Sequence, residues 1–258
     1  MCYDISFTVN MKELSDYFPS LVFDEQIKIN FEPVHIIGHN YGEHPIIFRN
    51  REDHTLRCRL MEWGCIPYFV KDESAYKKQR ATMLNARSER ILDDKKSYWY
   101  KIRHRRCLVP LTGFYEHREL KGFKKKVPYY ITLKNQHTFF LPGLYSVAEL
   151  PDIATGELQK RYTFTLITRS ANSLMKQIHN SGDNKERMPL MLPLELSERW
   201  LNESLPDEDL GNILNYYMPS AEIDYHTVYT IRSPQLRPDE KEKNAFYEWD
   251  ISPLEYKD

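Results

Sequence analysis

Cys2 is the residue of this chain with the most distinctive chemical potential. Loss of Met1 would make it the amino terminus, with a thiol and a free α-amine on adjacent carbons, an arrangement no internal cysteine offers. Such a pair traps aldehydes: the amine condenses to a Schiff base, the thiolate adds to the same carbon, and a five-membered thiazolidine closes. With unperturbed pKa values of about 7.7–8.0 for the amine and about 8.5 for the thiol, both reach their reactive forms near neutrality. A cysteine in second place with no role at all is the plain alternative.

Work on an aldehyde or an amide by Cys2 calls for a carboxyl group, an imidazole and a polar positioning group nearby. Glu116 follows the apolar run 109–115, just after Gly113. It is either a partly desolvated carboxyl whose pKa is raised, as a general acid requires, or an edge-strand side chain in water. His179 falls at the end of a helical pattern, as an active imidazole or as a C-cap histidine favoured by the helix dipole. Asn85, between Leu84 and Ala86, is a buried amide in need of partners or a turn residue bonding its own backbone.

The elements that must position these groups read as many strands with a few helices between them. The sequence predicts a helix over 11–18 ended by Pro19, and strands over 34–37, 45–48 and 56–67, the last alternating apolar and polar residues. Residues 75–80 read as an exposed loop or helix, 83–89 lead into a short helix, and 96–104 are helix-like. A buried strand at 107–111 runs into Glu116, and 121–126 make a basic hairpin tip. Further strands are predicted at 129–133, 138–144, 162–168, 190–192 and 223–230. Helices are predicted at 170–178 with a serine cap, 195–202 and 207–217. The fold class expected is α+β: a single β-rich domain with a curved antiparallel sheet or barrel as its core and peripheral helices, over residues 1–237, followed by a loosely held tail over 238–258.

Composition narrows the class. The chain has 258 residues, 41% hydrophobic and 28% charged, enough for one large soluble domain. No apolar run approaches a membrane span, and the start lacks a basic segment followed by an apolar core, so a cytoplasmic protein is expected. The four cysteines, Cys2, Cys58, Cys65 and Cys107, show no metal or disulfide spacing. The last three read as buried structural thiols, and no metal or organic cofactor is expected.

The net charge of -1 hides an asymmetry. Between Lys71 and Lys126 there are 17 Lys and Arg against 7 Asp and Glu, a net of +10, leaving the remainder at -11. Solvated loop faces are one reading; a polyanion partner is the other. The run from Tyr98 to Arg106 interleaves Tyr98, Trp99 and Tyr100 with Lys101, Arg103, Arg105 and Arg106, and Tyr68-Phe69 adds two more rings. Basic grooves with stacking platforms hold single-stranded nucleic acid.

Taken together, Met1-Cys2, Trp63-Gly64-x-x-Pro67, Asn85-Ala86-Arg87-x-Glu89, Gly113-Phe114-Tyr115-Glu116, Pro128-Tyr129-Tyr130-Ile131, Phe164-Thr165-Leu166-Ile167-Thr168, and Ile178-His179 with Arg187-Met188-Pro189 resemble the SRAP family, the SOS response-associated peptidases. The blocks fall in the family's order from residue 1 to about Pro193. The resemblance implies a β-rich α+β domain with a positive groove, removal of Met1, and a covalent thiazolidine crosslink between Cys2 and the ring-opened sugar of an abasic site in single-stranded DNA, as part of the DNA damage (SOS) response. It implies Cys2 as nucleophile, Asn85 orienting its amine, Glu116 as general acid and base, and His179 as proton carrier. Trp63 and Arg87 would meet bases and phosphates, with Lys77, Lys78, Arg80, Arg105, Arg106, Thr168 and Arg187 completing the DNA-binding set. A monomer, associated with the nucleoid if bacterial, is expected.

The chain also departs from that family. Tyr3 and Asp4 stand where Gly-Arg usually follows Cys2, and a carboxylate beside a phosphate track would repel it. The turn His39-Asn40-Tyr41-Gly42 is blurred, residues 180–186 separate His179 from Arg187, and His117 stands where Trp commonly follows the Glu. Two other functions therefore stay open: an N-terminal-nucleophile cysteine hydrolase acting on an amide, and a non-covalent single-strand binding module.

Overall fold

The computed structural model describes residues 2–27, 30–31, 35–152, 154–233 and 237–258. Its centre is a closed five-stranded barrel. Leu158–Ser170 pairs antiparallel with Phe139–Pro151, that strand with Arg106–Leu111, then Glu43–Arg49, then Leu56–Trp63. The ring closes where Leu56–Trp63 meets Leu158–Ser170 in parallel, Glu62 opposite Thr163 and Trp63 opposite Phe164. Closure leaves these strands no long free edge, and the antiparallel barrel expected from the sequence is present with this one parallel seam.

Arg106–Leu111 is buried at every residue, which is why its part 107–111 reads as a continuous apolar run. After Thr112 the chain leaves the barrel and enters a second sheet as Gly113–Arg118. That sheet is antiparallel throughout, in the order Ile223–Thr227, Val127–Leu133, Gly113–Arg118, Asp4–Ser6, Ile36–Ile37. A Cβ at Gly113 would lie 2.3 Å from the ring of Tyr130, so only glycine lets the strand pass beneath that ring. The same ring donates its hydroxyl to the Thr112 carbonyl at 3.0 Å, fixing the crossing between the sheets.

Several boundaries differ from expectation. The strands predicted at 138–144 and 162–168 are the inner halves of a hairpin of two 13-residue strands, Phe139–Pro151 and Leu158–Ser170. Its outer halves lie beyond the predicted bounds, where Glu149 sits opposite Lys160, so cross-strand charge pairing continues the ladder. The short strand expected at 190–192 lies instead at Arg187–Pro189, paired with Thr168–Ser170. Because Ser170 belongs to that ladder, the helix Ser173–Ile178 starts later than predicted, and its cap is not a serine. Asn172 caps it, its side chain accepting from the Met175 N–H at 2.9 Å. The strand expected at 34–37 is seen at Ile36–Ile37, Val34 lying outside the described residues.

The segment after Pro238 makes defined contacts with the core. Trp249, Ile251, Leu254 and Tyr256 pack on the core, and the Trp249 indole donates to the Val228 carbonyl at 2.9 Å. Burial of aromatic surface outweighs the acidic, polar composition that suggested a free tail. Among the described residues no helix is long and apolar enough to cross a membrane.

Candidate active site

Asp4–Ser6 lies between Gly113–Arg118 and Ile36–Ile37, with Ile5 opposite Phe114 and Asp4 opposite Ile37. Extending that register one way brings Cys2 alongside the end of the strand that carries Glu116. Asn85–Arg87 lies parallel to Leu166–Thr168 on the barrel wall, and the Asn85 amide Nδ2 donates to the Cys2 carbonyl at 3.0 Å. The other end of that amide, Oδ1, is buried without a hydrogen-bond partner among the described residues.

Cys2 itself is wholly buried. Burial, reinforced by the nearby charge of Glu116, pushes its thiol well above the ordinary value. Cys58, Cys65 and Cys107 are buried free thiols as well, in the cores predicted for them. Removal of Met1 concerns a residue outside the described ones.

Glu116 is 5% exposed, and burial raises its carboxyl to about 7. It is the desolvated carboxyl of the two readings the sequence left open. His179 faces it, Nε2 to Oε2, at 3.8 Å. Burial lowers His179 to about 4 and raises Glu116, so both shifts disfavour the ionic form of the pair. The Arg187 carbonyl lies 2.9 Å from His179 Nδ1 and, being only an acceptor, fixes the proton there. With the proton on Nδ1, Nε2 is the basic nitrogen of the ring, and it faces a carboxyl group that burial inclines to keep its proton. At 3.8 Å they are too far apart for a direct bond and near enough to share a substrate hydroxyl or a water.

Residues 180–186, which seemed to distance His179 from Arg187, form a closed excursion. The Glu186 N–H donates to the His179 carbonyl at 2.8 Å, and Ala171 donates to Glu186 at 2.9 Å, so the loop returns to its starting point. His179 is also a C-cap, its own N–H bonding the Met175 carbonyl at 2.8 Å. Asn180 bonds both backbone groups of Glu119, tying the loop to the strand that bears Glu116.

A cleft of about 330 Å³ opens beside Asn85, lined by Tyr3, His39, Thr82, Arg87 and Arg90 among others. Tyr3 and His39 pack ring to ring at 4.5 Å. Arg87 is exposed at the mouth, donating to Asn184 at 3.1 Å. Lys77 and Lys78 are exposed on the helix Glu73–Gln79, and Arg105 is half-buried over the Tyr145 ring; none of the three lines this cleft.

Four residues predicted to meet DNA are buried, and a fifth, Arg80, is half-buried. Trp63 is 1% exposed, stacks on Phe164 and donates to the Leu84 carbonyl at 2.9 Å, so it has no face for a base. Arg106 is buried on the carbonyls of Trp200 and Asn202. Arg187 is buried on Glu89 and on the carbonyl of Thr168, itself fully buried. Arg80 is held by Glu62 at 2.7 Å over the ring of Tyr41. The terminal polar groups of these residues are engaged inside the protein, although the Nε atoms of Arg80 and Arg187 are buried without a hydrogen-bond partner among the described residues.

Asp4 is likewise corrected. Its carboxylate is 5% exposed and is gripped by Arg232, Nε at 2.9 Å and Nη2 at 2.6 Å, and by His35 at 2.8 Å. Burial alone would raise this acid, but those partners outweigh it and hold the carboxyl below its ordinary value. The repulsion expected of a bare carboxylate is thus offset inside the fold. Arg232 and His35 carry no sequence signal, one being 228 residues from Asp4. No group of three or more His, Cys, Asp or Glu among the described residues is arranged to hold a metal.

Fold and site together define an α+β protein in which a near-terminal cysteine is enclosed between a barrel and a sheet, beside a carboxyl–imidazole pair. The chain belongs to the SRAP family, SOS response associated peptidase, whose profile matches residues 1–231. It is 35% identical over 181 residues to the abasic site processing protein YoqW of Bacillus subtilis, covering 69% of this chain and 73% of that one. It is 27% identical over 188 residues to the abasic site processing protein HMCES of Gallus gallus, covering 66% and 52%. A crystal structure of a protein from Bacteroides thetaiotaomicron superimposes with a TM-score of 0.71 at 28% identity, covering 95% of this chain and 97% of that one.

Proposed function

We propose that this protein processes abasic sites, capturing them in single-stranded DNA as a covalent thiazolidine through Cys2 once Met1 is gone. The observation that carries the reading is the enclosure of Cys2 with Asn85, Glu116 and His179, four residues from four separate parts of the chain. The names of its relatives agree with it.

In this reading Glu116, whose carboxyl burial raises to about 7, donates to the ring oxygen of the abasic sugar and takes back the anomeric hydroxyl proton, which opens the ring to the aldehyde and returns Glu116 to its acid form. The Cys2 amine adds to that carbonyl, its nitrogen held by the vacant acceptor Asn85 Oδ1. Loss of the carbinolamine oxygen as water, with a proton from Glu116, leaves the Schiff base. His179 Nε2 takes the thiol proton as sulfur adds to the same carbon. The nitrogen regains a hydrogen, the C–S bond closes the ring, and no oxidant or reductant is consumed. The cleft beside Asn85 has room for a sugar and its phosphates. Removal of Met1 is either the protein's own peptidase step, with the Cys2 thiol as nucleophile, or the work of an aminopeptidase, and the protein acts as a monomer.

A denaturing gel tests it. Protein whose intact mass confirms loss of Met1 is incubated with a single-stranded oligonucleotide bearing one abasic site. A shifted band that survives denaturation and disappears in Cys2→Ala is expected. Binding without a band would leave a non-covalent binder, and turnover of a small amide in its place would favour the N-terminal-nucleophile hydrolase.

A further inference from the structure

We infer that Arg232 is a phosphate-binding residue of this site, presented at its rim by the buried carboxylate of Asp4; the inference rests on the single-stranded DNA reading above. Arg232 lies immediately beyond the residues matched by the family profile.

The geometry separates the two ends of this ion pair. Asp4 is 5% exposed on its side chain, whereas Arg232 is 47% exposed. Asp4 takes the Nε and Nη2 side of the guanidinium, which leaves the Nη1 side as the outward one. A guanidinium has five N–H donors in a rigid fork, so an arginine clamped along one edge still offers directional donors along the other. Clamping also removes rotamer freedom before a ligand arrives, the condition under which a bound phosphate costs least entropy.

The segment that delivers Arg232 is anchored as well. Ile231 is 1% exposed and packs with Val228 against Tyr115 and Tyr130, and its carbonyl accepts from Lys243 at 3.1 Å. Arg232 therefore follows a fixed point on the sheet that carries Glu116. Its charge reaches both walls of the site: it lowers His39, on the cleft wall, after burial, and it acts on Glu116. The charged groups acting on it are Asp4 and Glu116, and it acts in turn on His117; His35 shares its Asp4 partner, and Lys126 acts on His117. With Asp4 offset by its partners, this edge presents cationic and neutral groups to an incoming strand. A phosphodiester flanking the abasic sugar is the anion it would meet.

The test is the salt dependence of binding to intact and abasic single-stranded oligonucleotides by the full chain lacking Met1. Each phosphate contact contributes about 0.7 to the slope of log K against log salt on single strands. Arg232→Gln is expected to flatten the slope by about that amount, and Arg232→Lys to restore most of it. Asp4→Asn controls for a purely structural pair. If Arg232 only neutralises Asp4, the double variant Asp4→Asn/Arg232→Gln regains wild-type affinity and slope, which overturns the inference. An unchanged slope in Arg232→Gln, with wild type still binding, overturns it also and leaves the DNA reading standing. Absence of any binding or crosslinking by wild type removes both.

Discussion

Asn85 holds Cys2 by one end of its amide only: Nδ2 donates to the Cys2 carbonyl at 3.0 Å, while the buried Oδ1 has no hydrogen-bond partner among the described residues. A buried acceptor left empty costs free energy in the resting protein, so its natural complement is a donor that arrives later. The α-amine of a processed Cys2 is such a donor. Asn85→Ala should destabilise the fold by about 1–3 kcal/mol through the abandoned Cys2 carbonyl. It should also slow crosslinking more than it weakens DNA binding. Single-turnover rates and equilibrium binding measured on one preparation decide this, and a proportional fall in both would argue against an orienting role.

Glu116 gives a prediction with a definite sign. Its carboxyl is lifted from 4.5 to about 7 by burial, so the unfolded chain releases this proton first as pH rises. The group's contribution to stability is therefore complete below about pH 4.5 and lost as pH climbs through about 7. The loss amounts to about 3 kcal/mol. Glu116→Gln should show a stability advantage over wild type that grows between pH 5 and 8 in urea titrations. A constant difference would mean that the carboxyl is not held neutral. Crosslinking by wild type should decline above pH 7 as the acid form is lost.

His179 behaves in the opposite sense. Its pKa is lowered by burial to about 4, so protonation is disfavoured in the fold. Stability from this group is full above about pH 6.5 and lost as pH falls through 4. His179→Gln should weaken the acid-side decline in thermal melts. Loss of a positioned base should slow ring closure by about a hundredfold or more, with affinity for the oligonucleotide retained.

Trp63 separates a structural from a contacting role. Trp63→Ala should cost about 3–5 kcal/mol as a core cavity, and Trp63→Phe about 1 kcal/mol for the hydrogen bond to Leu84. Neither should change the affinity of the folded fraction for single-stranded DNA. A selective loss of binding by folded Trp63→Phe would show that the indole meets a base after all.

Much of this protein was legible in its sequence because the relevant information is local. The buried run 107–111, the alternation in 56–63 and the glycine that opens the Glu116 strand fix strand, face and turn through nearest-neighbour patterning. The ordered motifs carried the family and, with it, the candidate residues Cys2, Asn85, Glu116 and His179. Side-chain type alone could not tell a cation that faces solvent from one spent within the fold. Arg106 and Arg187 look the same in sequence as Arg87, yet only the tertiary structure surrounds them with carbonyls and a carboxylate. Whether Glu116 is wet or dry likewise depends on which strands close over it, and Asp4 was harmless or harmful according to a residue far along the chain. Burial and long-range pairing are properties of the packed molecule, so these were settled only once the barrel and the sheet had closed around the first residues.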